Sequence, residues 1–361
     1  MAEVLVWGVE HQGGSALETI EKVLRSGGLT LLPSDAGYLL VGSAHSSDTI
    51  QKISRLSLCD PGHFEFFIHH SRFHDFVDRP MSGHLRRMTA RLWPGLCGVM
   101  IPDDQVRPRL KTSALGAVQN WRFRQPNHAI FDQLLALPDL DLFSPVMREI
   151  HSSVDELSRE CGPWLSLIVD AGKIQTNPVS RIEVRNSSWR MVQEGYVDEQ
   201  TIVEAMCRWI AFVCTGNTCR SPMAEAFAKS RLSTILGCTI DELPKHGYFI
   251  FSAGVAARPG NSASPQTIEF LQSCNIDGTT HQSQNLSEFA VAHTDWLIGM
   301  TRSHLQAILA RYPIIGGSLR LMLGSDGDLE DPIGGDDKVY SRCAFSILNH
   351  MDDLLLEIIG R

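Results

Sequence analysis

The 361-residue chain contains no run of 18 apolar residues, which predicts that it does not span a membrane. Its opening, Met1-Ala2-Glu3-Val4, lacks the basic start and long apolar stretch of a secretory signal. Positive charge is also in short supply. Lys and Arg number 32 against 41 Asp and Glu, a net charge of −9. Wholesale coating of nucleic acid is thereby excluded, although a local pocket of arginines is not. Low-complexity tracts, internal repeats and a Pro-rich hinge are all missing, and 43% apolar with 20% charged residues is an ordinary globular balance. Nine cysteines without regular spacing do not make a disulfide framework and fit a reducing cytoplasm better. No Cys/His cluster has zinc spacing, since His69-His70 and the Cys214/Cys219 pair lack convincing partners nearby, so no metal or other cofactor is assigned.

What is present is more than one core can use. A chain of 361 residues exceeds the size at which a single hydrophobic core stops growing, so two domains are expected. We read residues 1–200 and 207–361 as those domains, joined by the amphipathic segment Val197–Cys207. The second alternates strands and helices over short connections, the pattern of a parallel sheet covered on both faces. Strands are predicted at Ile210–Val213, Tyr248–Ser252, Asp295–Gly299 and Leu319–Met322. Helices are predicted at Pro222–Leu236, Pro265–Cys274, Ser303–Arg311 and from Lys338 to Ile359. The first domain reads as a mixed α/β (α+β-like) pattern. Leu17, Ile20 and Leu24 mark a helix over Ala16–Ser26 that Gly27-Gly28 ends. Strands follow at 29–32, Phe64–His69, Cys97–Ile101, Leu115–Trp121, Leu165–Asp170 and Arg181–Val184.

The chemistry is concentrated in one loop. Residues 210–225 read Ile-Ala-Phe-Val-Cys-Thr-Gly-Asn-Thr-Cys-Arg-Ser-Pro-Met-Ala-Glu, an apolar strand running through a short turn into a helix. In such a turn the backbone N–H groups of Thr215, Gly216, Asn217, Thr218, Cys219 and Arg220 converge, and the helix adds its positive end, so a phosphate is favoured there. A thiolate at Cys214 is favoured by the same field. Cys214 is the candidate nucleophile, and Arg220 offers a planar charged fork to two phosphate oxygens. Ser221 is placed to hydrogen-bond the sulfur or to cap the helix. A leaving group also needs a proton, and Asp331, in the turn-rich Asp331-Pro332-Ile333-Gly334-Gly335, is the candidate acid. The same carboxylate would activate water against a phosphocysteine intermediate. Individually these residues read blandly, the cysteine as a buried packing residue and Asp-Pro as a turn. It is the complete strand, loop, helix and acid segment that points to catalysis.

Residues 208–361 resemble the low-molecular-weight protein tyrosine phosphatases. The resemblance is carried by Val213 to Pro222, by Asp331-Pro332, and by Ser252-Ala253-Gly254 and Met300-Thr301-Arg302-Ser303-His304. It implies a three-layer α/β fold with a phosphate-binding loop, a phosphorylated protein as substrate, and catalytic roles for Cys214, Arg220 and Asp331. The wording around the loop is closest to the bacterial protein arginine phosphatase branch. There Thr at the position of Thr218 favours phosphoarginine, and the tyrosines that flank an aromatic substrate slot are absent, although that branch usually has Phe where this chain has Ile333. The resemblance further implies a reversible disulfide between Cys219 and the nucleophile, against the alternative of a buried loop-packing side chain. Arsenate reduction, which needs two more relay cysteines, is disfavoured because Cys274 and Cys343 are far apart in sequence.

Residues 10–200 resemble the threonylcarbamoyl-AMP synthase (YrdC-like) family, through Leu32-Pro33-Ser34-Asp35-Ala36-Gly37-Tyr38-Leu39, Leu92-Trp93-Pro94-Gly95 and Leu167-Ile168-Val169-Asp170-Ala171-Gly172. That family makes the activated precursor of a tRNA modification from threonine, bicarbonate and ATP, and the resemblance implies a twisted sheet with nucleotide or RNA as partner. Its Lys and Arg are missing from Leu56-Ser57-Leu58-Cys59-Asp60, and its Ser-Ala-Asn motif is replaced by Phe143-Ser144-Pro145-Val146-Met147. Adenylate chemistry needs those cations, so a module without synthase activity is expected. Arg86, Arg87, Arg91, Arg107, Arg109, Lys111, Arg122 and Arg124 remain, either as a solvated face or as a pocket for a nucleotide, an RNA end or a phosphorylated partner. The rival reading makes the chain a translation-related factor, binding RNA or nucleotide or making threonylcarbamoyl-AMP, with the phosphatase secondary.

Overall fold

The computed structural model describes residues 2–8, 14–56, 59–77, 81–107, 118–186, 188–312 and 314–360, with side chains at all of these except 54, 59–62 and 156. The chain divides into two compact units, Met1–Ala205 and Met206–Arg361. Among the described residues no helix is long and apolar enough to cross a membrane.

The first unit is built on ten strands: β1 Glu3–Val6, β2 Thr30–Pro33, β3 Tyr38–Ser43, β4 Cys59–Phe67, β5 Cys97–Pro102, β6 Asn120–Arg124, β7 Leu142–Met147, β8 Leu167–Asp170, β9 Ser180–Arg185 and β10 Ser188–Gln193. They form one sheet in the order β1-β8-β2-β3-β7-β4-β6-β5-β9-β10. Parallel pairs such as β1 with β8 and β5 with β9 stand beside antiparallel ones such as β2 with β3 and β4 with β7, so the sheet is mixed. Six helices accompany it: α1 Gly14–Arg25, α2 Ser47–Ser54, α3 Gly83–Leu92, α4 Ala129–Leu135, α5 Val154–Cys161 and α6 Glu199–Met206. Helix α1 buries Ile20 and Leu24 as the sequence spacing predicts, with Ala16 buried and Leu17 half-buried, and Gly27 stops it with φ +80°. Ile20 and Leu24 join Phe131 and Leu134 of α4 in a core over Leu32, Val41 and Leu167 of the sheet.

Two expectations are corrected here. The strand placed at Leu115–Trp121 is β6, Asn120–Arg124, and residues 115–117 lie outside the described residues. The remaining arginines do not share one solvated face. Arg91 is buried and donates to the carbonyl of Ala205 at 2.9 Å, Arg107 donates to Val77 O, and Arg124 is fully buried, while Arg86 is exposed. Arg109 and Lys111 lie outside the described residues, as do Ser57 and Leu58.

The second unit has four parallel strands, β11 Arg208–Cys214, β12 Tyr248–Gly254, β13 Trp296–Gly299 and β14 Ser318–Leu321, in the order β12-β11-β13-β14. Its helices are α7 Arg220–Leu236, α8 Pro265–Ser273, α9 Glu288–His293, α10 Arg302–Arg311 and α11 Asp337–Gly360. Strand side chains alternate faces, and both faces of β11 are apolar. Ile210 and Phe212 pack with Met223 and Phe227 of α7, Leu271 of α8 and Ile347 and Leu355 of α11. Ala211 and Val213 pack on the other side with Val291 of α9 and Ile308 of α10. The result is a three-layer α/β domain with β11 inside the sheet. Cys214, the last residue of β11, is therefore delivered to the sheet's carboxyl end, where open α/β sheets bind ligands.

Candidate active site

Cys214 ends β11 and Arg220 opens α7, so five residues make the whole connection. To turn that tightly, Asn217 adopts φ +56°, a left-handed conformation that Asn tolerates better than most residues. Its backbone N–H then points at the sulfur, 3.2 Å from Cys214 Sγ. Ser221 Oγ is 2.9 Å from the same sulfur. Asn217 Nδ2 donates to Ser221 Oγ at 3.0 Å, which leaves the serine's own hydrogen for the sulfur. Of the two sequence options for Ser221, the structure has it beside the thiol.

Asn217 is fully buried and every polar atom of its side chain is used. Nδ2 also donates to Ser252 Oγ at 2.8 Å, and Oδ1 accepts from Gln284 N at 2.8 Å. Its carbonyl accepts from His281 Nε2 at 2.8 Å. A satisfied buried network of this kind holds one geometry, because every alternative leaves a polar group unpaired. Gly254 lets the loop come close: a Cβ there would lie 2.5 Å from Thr215 O and 3.2 Å from Asn217 N.

His304 fixes the other side of the loop. It sits in the first turn of α10, where Thr301 N donates to its Nδ1 at 3.1 Å. Nε2 therefore carries the proton and donates to Thr215 Oγ1 at 2.9 Å. Burial first, and the neighbouring Arg220 charge second, push the imidazole's pKa down to about 4.

The guanidinium of Arg220 is buried, its side chain 6% exposed, and it is hydrogen-bonded to Asp331 Oδ2, whose side chain is 45% exposed. Arg220 also donates to Leu329 O at 3.4 Å. Asp331, 111 residues on from Arg220, is thus brought to the loop that carries Cys214 and Arg220. Cys219 Sγ lies 3.4 Å from Tyr340 Oη on α11. Burial and the Cys219 contact push that phenol up to about 12, so Tyr340 stays protonated. Both Cys214 and Cys219 are free thiols. Thr215, Gly216 and Thr218 complete the turn, with Thr215 exposed and Gly216 and Thr218 half-buried. Cys274 is exposed just beyond α8, whereas Cys343 is buried within α11, its thiol pushed up to about 12 by burial. Among the described residues no group of three or more His, Cys, Asp or Glu side chains is placed to hold a metal ion.

Sequence reasoning did not assign the supporting residues Ser252, His281, Gln284, His304 and Tyr340. Ser252 and His304 fall in runs that had been singled out, but their partners are remote in sequence. The first unit holds a second cluster. Arg124 on β6 pairs with Asp35 at 2.8 Å and with Glu65 of β4 at 3.3 Å, and Glu65 also pairs with Arg181 of β9 at 3.1 Å. Glu65, Arg124 and Arg181 border a cavity of about 330 Å3 also lined by Tyr38, Ser144 and Arg148. The two arginines hold the fully buried Glu65 carboxyl below its usual range, overcoming the desolvation that alone would raise it.

A three-layer α/β domain that carries a cysteine and an arginine on one strand-to-helix loop, facing an aspartate, is that of a small cysteine-containing protein phosphatase. The chain belongs to the low molecular weight phosphotyrosine protein phosphatase family, whose model matches residues 209–360. It is 36% identical over 137 residues to a protein-arginine-phosphatase of Bacillus subtilis strain 168, across 37% of this chain and 85% of that protein. Over 155 residues it is 36% identical to a protein-arginine-phosphatase of Geobacillus stearothermophilus, across 41% of this chain and 93% of that one. A low molecular weight protein-tyrosine-phosphatase of Staphylococcus haemolyticus, PtpB, is 36% identical over 133 residues, across 36% and 86% of the two chains. The second domain is accordingly a protein phosphatase. Residues 22–195 match the Sua5/YciO/YrdC family model, described as telomere recombination.

Proposed function

We propose that the second domain hydrolyses phosphoproteins in two covalent steps, and that phosphoarginine is preferred to phosphotyrosine. Cys214 Sγ attacks phosphorus while Arg220 and the loop N–H groups neutralise the equatorial oxygens. Asp331 gives its proton to the departing nitrogen or oxygen, and as a carboxylate it then takes a proton from the water that cleaves the phosphocysteine. The observation that carries this reading is the sulfur held between Asn217 N at 3.2 Å and Ser221 Oγ at 2.9 Å, which are donors suited to an anion. The Arg220–Asp331 contact supports it too, since a phosphate dianion competes for the guanidinium and frees the carboxyl to face the leaving group. Thr218 is small, polar and half-buried beside Cys219, which supports a planar cationic leaving group over an apolar ring. The residues that follow Asp331-Pro332 are the exposed Ile333 and then Gly334 and Gly335, with no tyrosine among them. We further propose that Cys219 protects the nucleophile by forming a reversible disulfide with it.

For the first domain we propose a YrdC-like module without synthase activity. Its buried Arg124 and half-buried Arg181 are matched by Glu65 and Asp35, so little positive charge is left for a triphosphate. One assay set tests both halves. The purified chain should release phosphate from phosphoarginine and from an aryl phosphate, Cys214→Ser should abolish both, and Thr218→Ile should lower the phosphoarginine-to-phosphotyrosine ratio. Turnover retained in Cys214→Ser refutes the nucleophile, and threonylcarbamoyl-adenylate formed from ATP, bicarbonate and threonine refutes the loss of synthase activity.

A further inference from the structure

Cys219 caps the 17-residue helix α7, and its sulfur is met by a residue of another helix, Tyr340 of α11. We propose that Tyr340 is a positioning residue whose hydroxyl donates to Cys219 Sγ and readies that sulfur, as a thiolate, to close on an oxidised Cys214. Resting on the Cys214–Cys219 disulfide proposed above, this assigns the group that prepares its second sulfur.

The backbone on both sides of Cys219 is fixed. Thr218 O accepts from Ser264 N at 2.8 Å, and Cys219 O accepts from Met223 N at 3.2 Å. The sulfur lies 3.4 Å from Tyr340 Oη and 3.6 Å from Thr218 Oγ1. Cys219 is 6% exposed and Tyr340 3%, so water competes little for this contact. The phenol is the donor: burial first, and the Cys219 contact second, push it up to about 12, and a thiol donates poorly. The positive end of α7 falls on the same sulfur. Cys343, one turn further along α11, is also buried, but burial pushes its thiol up to about 12 and it stays protonated. Of these two cysteines, Cys219 is the one prepared to react.

The oxidant is a hydroperoxide. The Cys214 thiolate takes the terminal oxygen of hydrogen peroxide, the O–O bond breaks, and hydroxide leaves, so that Cys214 becomes the sulfenic acid. The Cys219 thiolate then attacks the Cys214 sulfur; the S–S bond forms, the S–O bond breaks, and a second hydroxide leaves. The two hydroxides take up the two protons that the thiols had released, so two thiols and one peroxide give one disulfide and two waters. Tyr340 keeps its proton throughout. A charge-assisted hydrogen bond raises the thiolate population on the order of tenfold. A stabilised thiolate attacks more weakly, by about threefold for that gain at Brønsted coefficients of ~0.4–0.5, so closure is about threefold faster with the phenol than without it.

The test treats the full-length protein with hydrogen peroxide and reads the Cys214 and Cys219 peptides by mass spectrometry. Wild type should form the Cys214–Cys219 disulfide and regain its activity in dithiothreitol. In Tyr340→Phe, which removes only the hydroxyl, the ratio of disulfide to Cys214 sulfinic acid should fall about threefold. A second measurement avoids oxidation altogether: in Cys214→Ser protein, iodoacetamide should label Cys219 about threefold more slowly once Tyr340 is also changed to Phe. Loosened packing would instead speed the labelling, so the direction of the change separates a hydrogen-bond donor from a mere shield. A disulfide-to-sulfinic ratio equal to that of wild type, or labelling that is unchanged or faster, overturns this proposal and leaves the disulfide reading standing. Sulfinic acid with no disulfide in wild type refutes that reading and this proposal with it.

Discussion

Protonating His304 should loosen the phosphatase domain, and the size of the effect follows from the site. The ring is 4% exposed, its Nδ1 accepts from Thr301 N, and Arg220 stands nearby, so the fold holds it neutral with a pKa of about 4 against 6.5 for a free imidazole. A folded value below the unfolded one means that the unfolded chain binds the extra proton first. Above pH 6.5 the site therefore costs nothing, and stability is lost as pH falls from 6.5 toward 4. The full difference is about 3.4 kcal/mol at ~1.36 kcal/mol per pH unit, of which roughly 2 is lost between pH 7 and pH 5. Water reaching the exposed Thr215 side of the ring screens part of this, so about 1–2 kcal/mol is the expected loss. His304→Gln cannot titrate, and its amide can still donate to Thr215 Oγ1. Urea midpoints of phosphatase activity, measured at pH 7 and pH 5 for both proteins, isolate the term because all other titrations cancel. An identical pH 7-to-5 loss in the two proteins would refute the assignment of a buried neutral imidazole.

Gly254→Ala places a methyl group 2.5 Å from the Thr215 carbonyl, so the loop must shift; kcat/KM should fall on the order of 100-fold while circular dichroism stays native, and a fall under threefold would show that the close approach is not needed. In the first domain, Glu65→Gln leaves Arg124 and Arg181 short of a counter-charge in the interior, and should cost about 3 kcal/mol, read as faster hydrogen exchange of β4, β6 and β9 amides. Because Glu65 titrates below its usual range when folded, the stability it supplies is present above the ordinary carboxylate range and disappears as pH falls through its folded value. Exchange rates matching the wild type at pH 7 would mean that the pair contributes nothing.

The phosphatase domain was legible in the sequence to within a residue or two because its central strands, β11 and β13, are largely buried. Ile210 to Val213 is a continuous apolar run with no competing helical period, and Gly237, with φ +67°, ends α7 where the pattern ends. The short helix α9 was not read, since its six residues are too few to show a period. The first domain was harder because its sheet is mixed and its edges are wet. Strand β10 alternates exposed and half-buried residues without a single fully buried one, and β7 carries Pro145, so neither announces itself. At the candidate site, Cys214, Arg220 and Asp331 could be singled out because they stand in two short motifs, whereas Gln284 and His304 contact the loop from 67 and 89 residues away. Local pattern carries no information at that range.

That division also says where the loop's precision comes from. A five-residue turn with a left-handed Asn and a glycine is not rigid by itself. Its geometry is imposed by side chains from β12, α10 and the segment after α8: Ser252, His304 and Gln284, each a neutral donor or acceptor, with His281 held against the Asn217 carbonyl. Neutral partners matter here. A charged group in any of these positions would compete with Arg220 for the phosphate or with the backbone N–H for the sulfur, and in a buried site that competition is scarcely screened. In the proposed mechanism, keeping His304 unprotonated and Asn217 fully satisfied leaves Arg220 and Asp331 as the charges that would change partners during turnover. Substitutions among the neutral residues should therefore lower kcat while leaving its pH profile in place, whereas substitutions of Asp331 should change the profile itself.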